Sequence, residues 1–162
     1  VTFLVQARSA VRDVWIQPRW EGKPALGPWH SADGRDVVDL IAGGDLDQIS
    51  FPVWFQAFGR GTRWGDMLWT GGLPCKVAST RFVAVLESIG ATGWRTFEVD
   101  LRAKGGDPVP GYLGIATTGP GDDLDVTHLF GFQNLALRVK RHVLEALLGA
   151  GVDQFDHEPL DE

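Results

Sequence analysis

The sequence predicts an α+β fold, with two main amphipathic helices packed on a mostly antiparallel sheet and a loop-rich N-terminal half. Three observations predict it. Apolar residues recur at i, i+3, i+4 and i+7 in Phe82, Val85, Leu86 and Ile89, and a second stripe runs through Val139, Val143, Ala146, Leu147 and Ala150. Segments on either side of these helices alternate apolar and polar residues, as half-buried strands do. Residues 17–34 gather Pro18, Pro24, Pro28, Gly22, Gly27 and Gly34, the composition of a loop. At 162 residues the chain predicts a single domain, 1–162, subdivided near 72 into an aromatic, Gly-rich part and two helix–strand units at 73–162.

Taken in order, residues 1–8 are β-favouring. Val14-Trp15-Ile16 is a short apolar run stopped by Pro18, which cannot donate to a ladder. Asp36 to Ile41 reads as one helical turn or a short strand. Ile49 to Phe58 is aromatic and β-branched, a strand that Pro52 keeps from a central position. Trp64, Met67 and Leu68 share the spacing of one helix face and predict a short helix. Ser79 is a side chain able to cap the first main helix, and Gly90 stops it. Phe97, Val99 and Leu101 lie on one face of the next strand. Tyr112–Ala116 and Val126–Phe132 are further strands, separated by the acidic turn Gly119–Asp125. Arg138–Gly149 is the second main helix, stopped by Gly151, and Val152–Leu160 is a closing strand that runs into an acidic tail.

The two helical units resemble each other. A shift of 61 residues places Phe82 on Val143, Val85 on Ala146, Leu86 on Leu147, Ile89 on Ala150 and Gly90 on Gly151. Periodicity by itself leaves duplication and coincidence equally open.

Composition excludes several classes. Hydrophobic residues make up 44% and charged residues 22%, so the chain is neither disordered nor fibrous. With 15 basic against 21 acidic side chains, the net charge of -6 argues against nonspecific nucleic-acid binding. Cys75 is the only cysteine, which excludes an intrachain disulfide and fits a reducing cytosol. No apolar run is long enough to cross a bilayer. No leader is visible at Val1, which leaves open whether one was removed before it.

The motifs of chemistry are sparse. Phosphate-binding loops, nucleophile elbows and zinc helices are missing, and no cofactor or metal is expected. His30, His128, His142 and His157 are dispersed, and the Asp45-Leu46-Asp47 and Asp122–Asp125 turns lack the pattern of a calcium loop. An enzyme reading rests on His128 with Asp125 or Cys75, a sugar-binding or scaffold reading on the seven tryptophans. Trp15, Trp54, Trp69 and Trp94 lie in apolar runs and read as core, whereas Trp20, Trp29 and Trp64 read as exposed contacts. Acidic residues fall into three groups: Asp33, Asp36, Asp39, Asp45 and Asp47; Asp122, Asp123 and Asp125; and Asp153, Asp156, Glu158, Asp161 and Glu162.

The stretch 64–101, WGDMLWTGGLPCKVASTRFVAVLESIGATGWRTFEVDL, resembles the core of an immunity-protein family of bacterial polymorphic toxin systems. The elements that carry the likeness are Asp66-Met67-Leu68, Val77-Ala78-Ser79-Thr80-Arg81 opening a helix, Gly90, Thr92-Gly93 and Phe97. The second helix, Gly151, Phe155 and Pro159 extend it over residues 64–162. Residues 1–63 share only their aromatic, Gly-rich character, Leu137–Arg141 has no serine cap, and the paired cysteines of related immunity proteins are absent. The resemblance implies a cytoplasmic, non-enzymatic protein that occludes a cognate toxin domain and contacts neither nucleic acid nor membrane. The partner contacts expected from composition are Asp33, Asp36, Asp45, Asp47, Trp20, Trp29 and Trp64.

Overall fold

The computed structural model describes residues 1–20, 23, 24, 30, 33–128 and 135–160. Among them the protein is mostly β: three four-stranded sheets with only short helices. The expected α+β layout, two main helices on one sheet, is therefore corrected. The helices form where predicted but are nine residues each, Thr80–Ser88 (α2) and Arg141–Gly149 (α3). The residues that precede each helix extend and pair instead. Leu137–Lys140 (β11), which the 3.6-residue period assigns in part to the second helix, is held between Val126–His128 (β10) and Thr2–Gln6 (β1). Long-range pairing overrides the local period there.

The first sheet has the order β10-β11-β1-β12, where β12 is Asp156–Leu160, and every pairing in it is antiparallel. The second has the order β5-β6-β9-β7, with β5 Met67–Leu68, β6 Lys76–Ser79, β7 Trp94–Phe97 and β9 Tyr112–Thr117, again antiparallel. Met67 and Leu68 are thus strand residues. Their side chains enter two different cores, so the expected short helix at 64–68 does not form.

These two sheets are the same object built twice. Adding 61 to β6 gives β11, and adding 61 to α2 gives α3. The pairing Arg95↔Ala116, Thr96↔Ile115, Phe97↔Gly114 becomes Asp156↔Gln6, His157↔Val5, Glu158↔Leu4 once 110 is subtracted from the β9 numbers. Lys76↔Ile115 through Ser79↔Tyr112 becomes Leu137↔Val5 through Lys140↔Thr2 by the same offsets. In unit 1, the sheet β5-β6-β9-β7 with α2, the middle strand β9 follows its outer strand in sequence; unit 2 is the sheet β10-β11-β1-β12 with α3. In unit 2 the same slot is filled from the other end of the chain, by β1.

Both helices pack into one core. Phe82, Val83 and Leu86 of α2 and Val143, Leu144 and Leu147 of α3 are buried with Val5, Ile115, Val126 and Val139. Val85 and Ala146 are half-buried, while Ile89 and Ala150 are exposed, so the buried face of each helix is rotated toward Val83 and Leu144 from the face predicted. Ser79 caps α2: its hydroxyl accepts from the Phe82 amide at 3.2 Å. Gly90 and Gly151 hold φ of 63° and 75°, the left-handed conformation that ends a helix.

The third sheet, order β3-β2-β4-β8, comprises Lys23–Pro24 (β3), Trp15–Trp20 (β2), Trp54–Phe58 (β4) and Leu101–Arg102 (β8). β2 runs straight through Pro18, which pairs with Phe55. The two residues of β3 pair only with Arg19 and Trp20, so at Pro18 the described neighbour lies on one side alone, where a missing N–H is tolerated. β4 is an interior strand, and Pro52 lies before it. Val37–Ala42 forms a short helix (α1), followed by a 3-10 turn at Leu46–Gln48. This sheet and α1 share a second core with Val77 and Leu68, on the face of unit 1 opposite its helix.

Candidate functional site

α1 begins at Asp36 because its carboxylate accepts the Val38 amide at 2.8 Å, neutralising a helix-start donor. The element is tied to unit 1 by Arg95, whose guanidinium donates to the Gly43 carbonyl and to Asp45 at 3.1 Å. Of the predicted acidic contacts, Asp36 is therefore a helix cap and Asp45 one half of a staple. Asp33 is exposed and paired with Arg35 at 2.7 Å. Asp47 is exposed, and so is Asp39. Among the described residues nothing binds either of these last two carboxylates.

The predicted aromatic contacts fare differently. Trp20 is 3% exposed and packs beside Phe51 in the second core, so the reading of it as an exposed contact is corrected: β2 alternates, and Trp20 falls on its inner face with Ile16 and Pro18. Trp64 is half-buried with its ring 5.9 Å from Tyr112. Trp29 lies outside the described residues, as do Asp161 and Glu162. The other tryptophans are also at least half-buried: Trp15 wedges between Phe58 and Trp69, Trp54 lies under Arg102, and Trp94 donates to the Ala91 carbonyl.

Asp125, His128 and Cys75 do not assemble. The Asp125 carboxylate accepts from the Thr92 amide and hydroxyl and faces Lys140 at 3.5 Å and His142 at 3.4 Å. His128 sets Nδ1 against the Thr117 hydroxyl. Burial raises the Cys75 thiol to about 11, which keeps it a protonated, inert core residue.

His128 does border a cleft. A cavity of about 210 Å³ lies between α1, which supplies Asp39, Ala42 and Gly43, and a wall of Lys76, Ile115, Thr117 and His128. Lys76 is only 8% exposed, and its ammonium donates to the Pro74 carbonyl at 3.0 Å. Burial pulls its pKa down to about 8. Burial, helped by the nearby charge of Lys76, also holds the His128 ring below its ordinary value, which keeps it neutral near pH 7. A second cavity of about 210 Å³, lined by Gln6, Ser9, Thr70, Cys75 and Asp156, opens on the other side of the same lysine. Polar side chains thus line the cleft on both sides, Lys76, Thr117 and His128 on one and Asp39 on the other. No three metal-ligating side chains cluster among the described residues.

Sequence reasoning passed over Lys76. Its signal was available: the shift of 61 that superposes the helices puts Lys76 on Leu137, a charge where the twin unit has an aliphatic side chain.

The sequence matches no known family model and has no significant match among curated proteins. No helix among the described residues is long and apolar enough to cross a membrane.

Proposed function

We propose that the protein is a bacterial immunity protein that binds a cognate toxin domain in the cytoplasm and neutralises it by stoichiometric occlusion. One observation carries the reading: Asp33 before α1, Asp39 within it and Asp47 in the turn after it are exposed along a segment fixed by the Asp36 cap and the Arg95 staple. A pre-ordered acidic edge loses little side-chain and loop freedom on binding and steers a cationic partner. The sequence likeness over 64–162 supplies the class of partner.

The test is co-expression of the toxin domain encoded beside this gene, with and without this chain. The neighbour is expected to arrest growth alone and to be harmless beside the wild-type protein. Reversing charge in Asp39→Lys/Asp47→Lys is expected to weaken the complex by about tenfold or more. A neighbour that is harmless by itself sinks the reading.

A further inference from the structure

Three loops meet beside the third sheet: 10–14, 60–64 and 103–107. The Thr62 and Arg63 amides donate to the Arg12 carbonyl at 3.1 and 3.0 Å, and the Val14 amide donates to the Arg63 carbonyl at 2.9 Å. Gly61 packs so closely on Asp13 that a Cβ would sit 1.9 Å from its carbonyl oxygen. The third loop is closed by the Ala103 amide on the Asp107 carbonyl at 2.8 Å, and the Gln56 side chain ties it to β4 by donating to the Ala103 carbonyl at 2.7 Å. All three loops line a cavity of about 280 Å³. Val14, Ala57, Ala103 and Trp64 make the lining mostly apolar, and Thr62 and Lys104 add a hydroxyl and an ammonium. The volume is just under the roughly 300–1,000 Å³ of pockets for drug-sized ligands, so the occupant is small.

The charges here differ from those elsewhere. Most arginines are paired with an aspartate, as Arg8, Arg35, Arg95 and Arg102 are. Arg12, Arg60 and Lys104, one in each loop, are exposed, and among the described residues their side chains have neither a hydrogen bond nor an ion pair. Asp13 is taken up by Arg63 and the Ala10 amide, and Asp107 makes no ion pair with Lys104 in its own loop. The Thr62 hydroxyl and the Trp64 indole N–H likewise donate to nothing among the described residues. In a chain of net charge -6, three unopposed cations around one apolar cavity select an anion.

We propose that this cavity binds a small carboxylic acid with an apolar body, its carboxylate taken by Lys104 and Thr62 and its body seated on Val14, Ala57, Trp64 and Ala103. Arg12 and Arg60 add a longer-range attraction that salt weakens. Inorganic anions gain nothing from the apolar lining, and amines are repelled by the cations, so the site discriminates on both counts. Trp64, expected from the sequence to be a contact residue, takes that role here. The inference goes beyond the toxin-binding reading and does not require it.

Calorimetric titration with phenylacetate, 2-phenylethanol, phenethylamine and acetate tests it. Phenylacetate is expected to bind with a Kd of about 1 mM or tighter. The alcohol lacks the charge and acetate lacks the body, so each is expected to bind about tenfold or more weaker, and the amine not at all. Lys104→Gln is expected to bring phenylacetate down to the affinity of the alcohol. Arg12→Gln and Arg60→Gln are expected to weaken it about twofold to threefold each at low salt, and less at high salt. Arg35→Gln removes the same charge outside the cavity and is expected to leave binding unchanged. All four side chains are exposed, so these variants are expected to keep the wild-type Tm. Absence of phenylacetate binding, acetate or the amine binding as tightly, undiminished binding by Lys104→Gln, or an equal loss in Arg35→Gln overturns the proposal.

Discussion

Units 1 and 2 share one strand register but anchor it with different electrostatics. In each, an aspartate just before the first strand accepts a backbone amide from the loop after the other unit's helix. Asp66 takes the Gln154 amide at 3.0 Å, and Asp125 takes the Thr92 amide at 3.0 Å. The carbonyls of the same aspartates accept the amides of Ser79 and Lys140, again 61 residues apart. Each carboxylate therefore latches its own helix start to its neighbour's turn. Asp66 is 2% exposed and held by Ser79 at 2.7 Å and by both arms of Arg81 at 2.6 and 2.8 Å. At the equivalent of Arg81, Asp125 faces His142, and its side chain is 18% exposed. The difference teaches that topology repeats more faithfully than the means of holding it. One carboxylate is dry and gripped by both arms of a guanidinium; the other is wetter and faces two single-point cations.

The outer faces diverge as well. Unit 1 carries the third sheet and α1 on the face opposite its helix, and Phe97 lies across Gly114, where a Cβ would sit 2.2 Å from the ring. In unit 2 the matching pair is Glu158 and Leu4. A charged residue replaces the ring, and a side chain returns to the middle strand.

The sharpest way to break the comparison is to cut each latch. Asp66→Ala leaves the Ser79 hydroxyl and the Gln154 amide without their acceptor and frees Arg81 into solvent, and is expected to cost about 3–5 kcal/mol, whereas Asp125→Ala is expected to cost about 1 kcal/mol or less. Urea unfolding reads both, and equal losses would refute the dry-versus-wet distinction. Leu86→Ala and Leu147→Ala are expected to cost about 2–5 kcal/mol each, because both side chains are fully buried in one shared core. A loss well below about 1 kcal/mol at either shows that the units do not share that core equally. Gly90→Ala and Gly151→Ala meet no atom within 4 Å, so each is expected to cost only the left-handed strain, about 1–2 kcal/mol, and the two values should agree.

Titration gives the smallest effects. Burial alone would raise both latch carboxyls, but it is outweighed at Asp66 by the bonds from Arg81, Ser79 and Gln154, and at Asp125 by Thr92, His142 and Lys140, so both sit below the usual 3.8. Their stabilisation is present above that value and is lost as pH falls through the folded pKa values. Asp66→Asn is expected to flatten the acid limb of stability against pH more than Asp125→Asn. At the alkaline end Lys76 releases its proton near pH 8 in the folded state and near 10.5 when unfolded, so stability from this group rises with pH above 8. Cys75 opposes it above pH 9, because its folded thiol holds the proton to about 11. Lys76→Leu is expected to remove the rise between pH 8 and 9; a rise that persists means another group causes it.

Much of unit 1 was legible because its signals are local. Ser79 as cap, Gly90 as stop and the Phe82–Leu86 face all lie within a dozen residues. The repeat was visible on the helices but not on the middle strands, since β1 stands 135 residues from β11 and no period connects it to β9. Pro18 and Met67–Leu68 were misread for the same reason: their pairing partners, Phe55 and Val77–Ala78, are remote or masked by glycines. Charge alone drew the eye to the acidic edge and missed Lys76, a single cation in the apolar run from Cys75 to Ala78. Only the comparison with Leu137 separates that lysine from a snorkelling surface residue.

The placement of β1 has a consequence for how the protein is made. This strand is synthesised well before both of its partners, residues 137–140 and 156–160. At about 5–20 residues per second the strand waits for roughly ten to thirty seconds with both edges open. Unit 1 has all its strands within residues 67–117 and can close during that interval, offering a finished template onto which the second is then assembled.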